Sequence, residues 1–371
     1  MLVIGAGISG ALVAQDLAEA GLSVIVVDRR GPAAGSTAAS TALVQYELDL
    51  PLHQLIEQIG QDRAERAWRR ARLAVDALRE RAWRLGIEAG QASRDTLYLA
   101  GNLLGRDGLE HEAAARRRCG FELELLGPAA TKAWFGLAPR HALLSFGNYA
   151  ADPRALTAGL LKAAIGRRAR VFAPAEVIAI EPGRSGVTAQ LRDGPELRAK
   201  TAVFATGYEL VKGVPRMGHA LTSTWTIATA PQPNRIWPGA AMIWEAADPY
   251  LYIRTTPQGH VICGGDDSDE ADAEVRDALT PAKTKTLARK LGRLIPGIDP
   301  TPAYAWAGTF GTSPLSMPTI GRVPGMPGCY AALGYGGNGI TFAMIAAQVL
   351  RGLICGDGDP DSDLFGFSRE F

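Results

Sequence analysis

Residues 2–28 read LVIGAGISGALVAQDLAEAGLSVIVVD, and this stretch decides the fold. Three apolar residues lead into Gly5, Gly7 and Gly10, and a helix-permissive run follows. A second apolar strand then ends at Asp28. The pattern predicts one βαβ unit whose first turn has the glycine spacing of a dinucleotide-binding motif.

Each residue type in this turn has a physical task. Gly5 allows the tight turn out of the first strand, Gly7 lets a pyrophosphate approach the backbone, and Gly10 lets the helix pack close to the sheet. The phosphates are expected at the helix N-terminus, where unpaired N–H groups and the helix dipole favour negative charge. Asp28 lies 23 residues after Gly5, a position that suits hydrogen bonds with ribose hydroxyls.

Length and composition narrow the function classes. The 371 residues, 47% of them apolar, are enough for two domains. A formal charge of +1 gives no strong field for nucleic acid or an anionic membrane, so we expect neither as a partner. The four cysteines are scattered without metal-ligand spacing, which predicts a reducing, cytoplasmic environment and no metal site. There is no charged leader before an apolar core and no run of about twenty apolar residues, which argues against export or a membrane span.

Two patterns of predicted secondary structure alternate along the chain. Strands and helices alternate in residues 1–85, 146–217 and 306–371, which we assign to a discontinuous dinucleotide-binding domain. Residues 86–145 and 218–305 contain more β-like runs with turn signals, and we assign them to a substrate-binding domain. The predicted fold class is α/β with an α+β second domain. A Rossmann-like domain is interrupted by an inserted, largely antiparallel β-sheet.

Two helices are predicted from periodicity. Residues 54–85 repeat apolar positions every three or four residues, and their arginines are expected on a solvated face paired to acids four residues away, as in Glu65–Arg69 and Glu80–Arg84. A second helix is predicted over 281–294.

A second glycine-rich loop lies near the end of the chain. Residues 334–339 read GYGGNG, and an apolar helix is predicted from Ile340 to about Ile354. Its N-terminus is another place where partial positive charge can face a ligand.

In this order, the features resemble the D-amino-acid oxidase superfamily of FAD-dependent oxidoreductases, which includes glycine oxidase and sarcosine oxidase. The resemblance covers nearly the whole chain. It rests on the 5–10 turn with Asp28, the GST loop at 35–37, ATG at 205–207, WAG at 306–308 and the loop at 334–340.

The resemblance implies FAD as the cofactor. Asp28 would bind the AMP ribose, Val177 would meet the adenine, and residues 336–340 would contact the pyrimidine end of the flavin. There the helix N-terminus favours the negative charge of reduced flavin. The expected FAD-binding residues are Gly5, Gly7, Ile8, Ser9, Gly10, Asp28, Arg29, Gly35, Ser36, Thr37, Ser40, Thr41, Val177, Ala205, Thr206, Gly207, Gly336, Gly337, Asn338, Gly339 and Ile340.

FAD is expected to be non-covalent. Relatives that tether it use a His near the 35–37 loop or a Cys near the WAG stretch. This chain has Ala38, Ala39 and Gly308 at those approximate positions.

The substrate-binding positions depart from the family pattern. Two arginines that bind the substrate carboxylate in glycine oxidase fall on Phe310 and Gly337. Tyr252 matches a family tyrosine, and residues two apart share a strand face, so Tyr250 and Arg254 point the same way. If that face is turned to the flavin, Arg254 can hold a carboxylate; if it is turned to solvent, Arg254 is a surface charge. The candidate catalytic residues are Tyr252, Arg254, Tyr250 and Gln45.

The resemblance implies hydride transfer from the C–H bond next to an amine of a small amine or amino acid to flavin N5. The alternative is a 2-hydroxy-acid or polyol-phosphate dehydrogenase, and a non-catalytic flavin-bearing subunit is a third reading. A sarcosine-oxidase lysine credited with oxygen activation falls near Ile262, which leaves oxygen or another electron acceptor open.

Overall fold

The computed structural model describes residues 1–183 and 185–368. The last three residues of the segment predicted as 306–371 lie outside this range. The α-helices are α1 Ile8–Glu19, α2 Ser36–Ala39, α3 Leu52–Ile59, α4 Gln61–Arg84, α5 Arg106–Arg118, α6 Pro128–Phe135, α7 Pro153–Gly166, α8 Ala273–Leu294, α9 Gly339–Cys355 and α10 Ser362–Phe365. Short 3₁₀ turns occur at Pro233–Arg235, Pro238–Ala240 and Gly336–Asn338.

The strands of the described residues form three sheets. In chain order they are β1 Leu2–Ile4, β2 Ile25–Val27, β3 Leu43–Val44, β4 Ala92–Leu99, β5 Leu123–Leu126, β6 Ala142–Ala150, β7 Arg170–Phe172, β8 Val177–Gly183, β9 Gly186–Leu191, β10 Glu196–Ala199, β11 Ala202–Phe204, β12 Ala220–Thr229, β13 Met242–Glu245, β14 Leu251–Thr255, β15 Val261–Ser268, β16 Pro302–Thr312, β17 Thr319–Arg322 and β18 Cys329–Leu333.

The first sheet confirms the Rossmann-like prediction. Its order is β17-β18-β11-β1-β2-β7, and all neighbours are parallel except β17 with β18. Val3 in the central strand pairs with Val203 on one side and Val26 on the other. Helix α1 packs against α7 and α9 on one face, as a doubly wound sheet requires.

A three-stranded antiparallel sheet, β10-β9-β8, covers part of the other face. Val187 and Ala189 from β9 are buried in one apolar cluster with Leu2 and Phe204 from the parallel sheet. This layer therefore seals the face of the parallel sheet that α1 leaves uncovered.

The third sheet has nine strands in the order β16-β12-β15-β14-β13-β4-β6-β3, with β5 also paired to β6. Every pair is antiparallel except β13 with β4. The prediction of an inserted, largely antiparallel sheet is confirmed by this nine-stranded sheet. Helix α8 packs against β12, β15 and β16, so one end of this sheet is covered by a long helix.

The division into domains stays a prediction. The expected boundary at 145/146 falls inside β6, and the one at 305/306 falls inside β16. Both strands belong to the nine-stranded sheet over their whole lengths. A division that follows the sheets therefore keeps residues 142–150 and 302–312 with the nine-stranded sheet.

Both helix predictions need correction. The stretch predicted as one helix over 54–85 is α3 and α4, because Gly60 has φ +82° and interrupts the helical backbone. Helix α8 begins at Ala273 rather than 281, since the Asp272 side chain accepts hydrogen bonds from the N–H groups of Glu274 and Val275. Pro281 lies inside this helix, so it did not mark a helix start.

The arginine face of α4 is less solvated than expected. Arg69 does pair with Glu65, at 2.5 Å. Arg84 instead pairs with Glu19, and Arg81 is 9% exposed and pairs with the buried Asp16 at 2.9 Å. These arginines join α4 to α1, so their interpretation as a purely solvated face was wrong.

One segment of the described chain, Gly336–Cys355, is long and apolar enough to cross a membrane, but 67% of it is buried in the protein. It contains α9, which packs against α1 and α4 as a core helix does. Within residues 1–183 and 185–368, no group of three or more His, Cys, Asp or Glu side chains is placed to hold a metal ion.

Candidate active site

The glycine-rich turn leaves the N-terminus of α1 open to an anion. Gly7 caps the helix without a side chain, and the first turn has no acidic residue. A Cβ on Gly5 would lie 2.2 Å from the carbonyl oxygen of Ala205, and one on Gly10 would lie 1.8 Å from that of Gly5. Contacts within the protein therefore leave no room for a side chain at Gly5 or Gly10. The dipole of α1 favours a phosphate at its N-terminus.

Asp28 is held firmly at the end of β2. Its Oδ2 accepts a 2.8 Å hydrogen bond from the Ala6 N–H, and its Oδ1 accepts from the N–H groups of Arg30 and Gly31 at 2.8 and 3.0 Å. A carboxylate has about four lone-pair sites, so acceptor capacity remains for a ligand hydroxyl.

A single cavity of about 1320 Å³ runs from this turn to the nine-stranded sheet. Most of the residues expected to bind FAD line it, and so do three of the four candidate catalytic residues. The lining members of the two sets are Gly5, Gly7, Ile8, Ser9, Asp28, Arg29, Gly35, Ser36, Thr37, Ser40, Thr41, Val177, Ala205, Thr206, Gly207, Gly336, Gly337, Asn338, Gly339, Ile340, Gln45, Tyr250 and Tyr252. Gly10 packs behind the turn, and Arg254 lies outside the lining.

The loop at residues 35–41 closes against the glycine turn. The buried Thr37 hydroxyl accepts a 3.0 Å hydrogen bond from the Ile8 N–H. A Cβ on Gly7 would come within 3.0 Å of the same hydroxyl. The small residues in this loop therefore let it approach the start of α1 closely.

Residues 45–49 hold the C-terminal glycine loop in place. The Thr341 hydroxyl donates to the Gln45 carbonyl at 2.8 Å, and the Asn338 amide donates to the Glu47 carbonyl at 2.7 Å. The Gly337 N–H donates to Asp49 Oδ2 at 2.8 Å. The loop that leads into α9 is thus fixed along one wall of the cavity.

Strand β14 and the residue before it bring two phenols to the cavity. Tyr250 and Tyr252 both line it, and the Tyr252 hydroxyl lies 2.8 Å from the Thr224 hydroxyl. Burial raises the pKa of both tyrosines well above the usual range, so both remain neutral phenols.

The Arg254 side chain is buried, and its guanidinium is hydrogen-bonded to the backbone. Its guanidinium donates to the carbonyl groups of Thr41 and Thr255, and the residue is 6% exposed. Burial lowers the pKa of Arg254 to about 10, so it is still charged at neutral pH. Arg254 is therefore not a solvent-exposed surface charge, but it does not line the cavity either, and its role as a carboxylate anchor stays a prediction.

Three charged groups at this end of the cavity were absent from the predicted set. Asp49 and Arg276 line the cavity, and Arg276 donates a 2.8 Å hydrogen bond to the Thr309 hydroxyl. Asp267 lies behind Tyr250, and burial raises the pKa of its carboxyl to about 6. The sequence did contain one signal for Arg276. Asp272 is a favourable N-cap residue, and a helix that begins after Asp272 places Arg276 on its first turn.

Known proteins match this chain over nearly its whole length. Its residues 1–353 match the family model described as DAO, FAD dependent oxidoreductase. A bifunctional protein for tRNA 5-methylaminomethyl-2-thiouridine biosynthesis, MnmC from Cupriavidus necator, is 28% identical over 98% of this chain. The chain spans 58% of the length of that relative.

Two solved structures share the fold. Glycine oxidase from Geobacillus kaustophilus has a TM-score of 0.82 at 20% identity and covers 100% of this chain and 98% of its own. L-Proline dehydrogenase from P. horikoshii has a TM-score of 0.81 at 18% identity and covers 99% and 97%. With the family match, the open turn at α1 and the cavity beside it, the chain belongs to the DAO family of FAD-dependent oxidoreductases.

Proposed function

We propose that the protein oxidises the C–H bond next to an amine of a small amine or amino acid. The observation that carries this proposal is the single cavity, which joins the dinucleotide-binding turn to a wall bearing Tyr250, Tyr252 and Gln45. When bound, FAD supplies the acceptor for the hydride.

The protein's own residues would bind and orient the two reactants. Gly5, Gly7 and Asp28 would hold the pyrophosphate and ribose of FAD, and the 336–340 loop would meet the flavin at the N-terminus of α9. Tyr250 and Tyr252 would orient the substrate on the opposite wall. Holding the reacting carbon close to the acceptor is the main contribution that such a site makes.

The names of the relatives favour an amine over an alcohol. The relative from C. necator is named for a methylaminomethyl group, and the two structural neighbours described above are named for glycine and proline. A further neighbour with a TM-score of 0.80, from Mycoplasma pneumoniae, is named L-α-glycerophosphate oxidase. A 2-hydroxy acid or polyol phosphate remains the alternative substrate class. Oxygen or another electron acceptor would reoxidise the flavin.

We also propose non-covalent FAD and a cytoplasmic location. Ala38 and Ala39 provide no tethering group in the flavin-side loop. Cys119, Cys263, Cys329 and Cys355 are all free thiols, as a reducing compartment allows.

The test is anaerobic addition of amines, amino acids, hydroxy acids and polyol phosphates to the purified holoenzyme. Bleaching of the flavin absorbance by a member of the amine or amino-acid panels is expected. Bleaching only by the hydroxy acids or polyol phosphates would establish the alternative, and an intact reducible flavin that none of them bleaches would favour a non-catalytic subunit.

A further inference from the structure

Asp49 is a carboxylate on the wall of the cavity, and none of the described basic residues pairs with it. It lines the cavity, and its only hydrogen bond among the described residues is the one from the Gly337 N–H. Across residues 1–183 and 185–368 it forms no ion pair. Its side chain is exposed to the cavity, and desolvation by the surrounding protein raises the pKa of its carboxyl above the usual value. A carboxylate that faces a cavity without a basic partner attracts a cation.

Aromatic rings lie at the same end of the cavity, since Asp49 acts electrostatically on Tyr250 and on Tyr98. Trp244, Tyr250 and Tyr252 all line it. Trp244 stacks on Tyr98 with ring centroids 3.9 Å apart, and the two tyrosine rings lie 5.7 Å apart. These contacts fix the rings, and ring faces attract organic cations.

One buried polar atom in this wall is left without a partner. Within the described residues, the Trp244 indole Nε1 has no hydrogen-bond acceptor, although that residue is only 7% exposed. Asp267 interacts with the Tyr250 and Thr224 hydroxyls and acts electrostatically on Tyr252. Buried polar groups in native proteins are rarely unpartnered, so the Trp244 Nε1 atom points to a bound molecule or water.

The Asp49 carboxylate lies against the glycines of the C-terminal loop. A Cβ on Gly337 would lie 2.8 Å from Asp49 Oδ1, and one on Gly336 would lie 2.8 Å from Oδ2. The carboxylate therefore occupies the space beside this loop and gives that part of the cavity wall a negative charge.

We propose that Asp49 binds a cationic ammonium group of the substrate, enclosed by Trp244, Tyr250 and Tyr252. This rests on the proposed function and narrows it to substrates that present a basic amine at this wall. Asp267 adds a second negative charge behind the rings, and Trp244 Nε1 is available to an acceptor atom elsewhere on the same molecule. A small free amino acid held only by its carboxylate does not use this pocket.

Asp49 is also placed to take the proton that a reacting ammonium must lose. An N–H bond of the ammonium breaks, an O–H bond forms on the Asp49 carboxyl, and the nitrogen keeps the electron pair. The neutral amine can then release hydride from its neighbouring carbon.

The test separates binding from turnover. Tetramethylammonium has no lone pair on nitrogen and tert-butanol has no hydrogen on its carbinol carbon, so neither can be oxidised as proposed. Their dissociation constants for the holoenzyme are measured from the change in flavin absorbance at constant ionic strength. We expect tetramethylammonium to bind at least about tenfold more tightly, the size of one desolvated cation–π or charged contact.

The variant Asp49→Asn keeps an acceptor for the Gly337 N–H and removes the charge. We expect it to lose the preference for tetramethylammonium at unchanged flavin content. Asp62→Asn, whose side chain is 84% exposed on α4, is the matched control and should keep the preference. Equal affinity of the two probes in the natural protein, or an unchanged preference in Asp49→Asn, would contradict the proposal. Failure of every amine to bleach the flavin would contradict the proposed function instead.

Discussion

The Asp267 carboxyl lowers the stability of the native protein when it ionises. Burial is the main cause of its raised pKa, the charge of Asp49 adds to it, and the neighbouring Thr224 and Tyr250 hydroxyls oppose it. Its pKa is about 6 in the folded protein against 3.8 for a free aspartate. The folded state therefore holds a proton that the unfolded chain has released, and stability falls as the pH rises from about 4 to about 6.

We predict that Asp267→Asn stabilises the protein, and more so at pH 8 than at pH 5. The gain at pH 8 is on the order of 2–3 kcal/mol, because each pKa unit corresponds to about 1.4 kcal/mol. Urea unfolding of both proteins at the two pH values measures it. A difference between them that does not change with pH would show that Asp267 does not titrate in this range.

A substitution of Arg254 distinguishes two roles for this residue, which are binding the substrate carboxylate and positioning the 35–41 loop. Because its guanidinium donates to the Thr41 carbonyl, we expect Arg254→Ala to loosen the 35–41 loop and to lower flavin retention after gel filtration. The ratio of flavin to protein absorbance measures this. If the flavin is retained and only KM for a carboxylate substrate rises, Arg254 is the carboxylate anchor. Unchanged KM, kcat and flavin content would remove both roles.

Single residues differ in how well the sequence reveals them. Gly5, Gly7 and Asp28 were found because their roles depend on spacing within one βαβ unit. Asp49 and Asp267 were missed because they lie more than 200 residues apart and meet only through folding of the nine-stranded sheet. No local pattern distinguishes an acid that faces a cavity from one that faces solvent.

At the scale of elements, a buried ion pair joins α1 to α4. Arg81 lies 2.9 Å from Asp16, which is 1% exposed, and burial keeps the pKa of Asp16 above its usual value despite this partner. The half-exposed Arg351 lies 3.8 Å from the same carboxylate and compensates its charge only in part. Removing Arg81 therefore leaves a poorly compensated charge in the interior.

We predict that Arg81→Met destabilises the protein by about 3–5 kcal/mol, as is typical when one member of a buried pair is removed. The double variant Asp16→Leu, Arg81→Met should recover much of that loss, since neither charge remains. Thermal or urea unfolding of the two variants measures the difference. A double variant as unstable as Arg81→Met would contradict this account of the pair.

The helix errors have a common physical origin. Gly60 and Pro281 have opposite effects here: the glycine divides a helix through a positive φ, whereas the proline is accommodated inside one. Periodicity alone favours a continuous helix across Gly60, and proline is usually a stop or start signal. Packing of α8 on the nine-stranded sheet stabilises the helix on both sides of Pro281.

At the scale of the whole molecule, two sheets meet along one cavity. The parallel sheet presents the N-terminus of α1, and the antiparallel sheet presents the aromatic wall. The fold class and the FAD family were predictable because the glycine motifs occur in a specific order along the chain. The domain boundaries were less predictable. Each predicted boundary falls inside a continuous strand, β6 or β16, and no linker in the sequence marks a change of domain there.

FAD-dependent oxidation of an amine is tested most directly by the visible absorbance of the purified holoenzyme between 300 and 550 nm during anaerobic addition of a matched amine and alcohol. We predict an FAD spectrum that an amine bleaches and its hydroxyl counterpart does not, with free FAD released on denaturation. A colourless protein that cannot be reconstituted with FAD, or a flavin bleached only by the hydroxyl compound, would contradict the account.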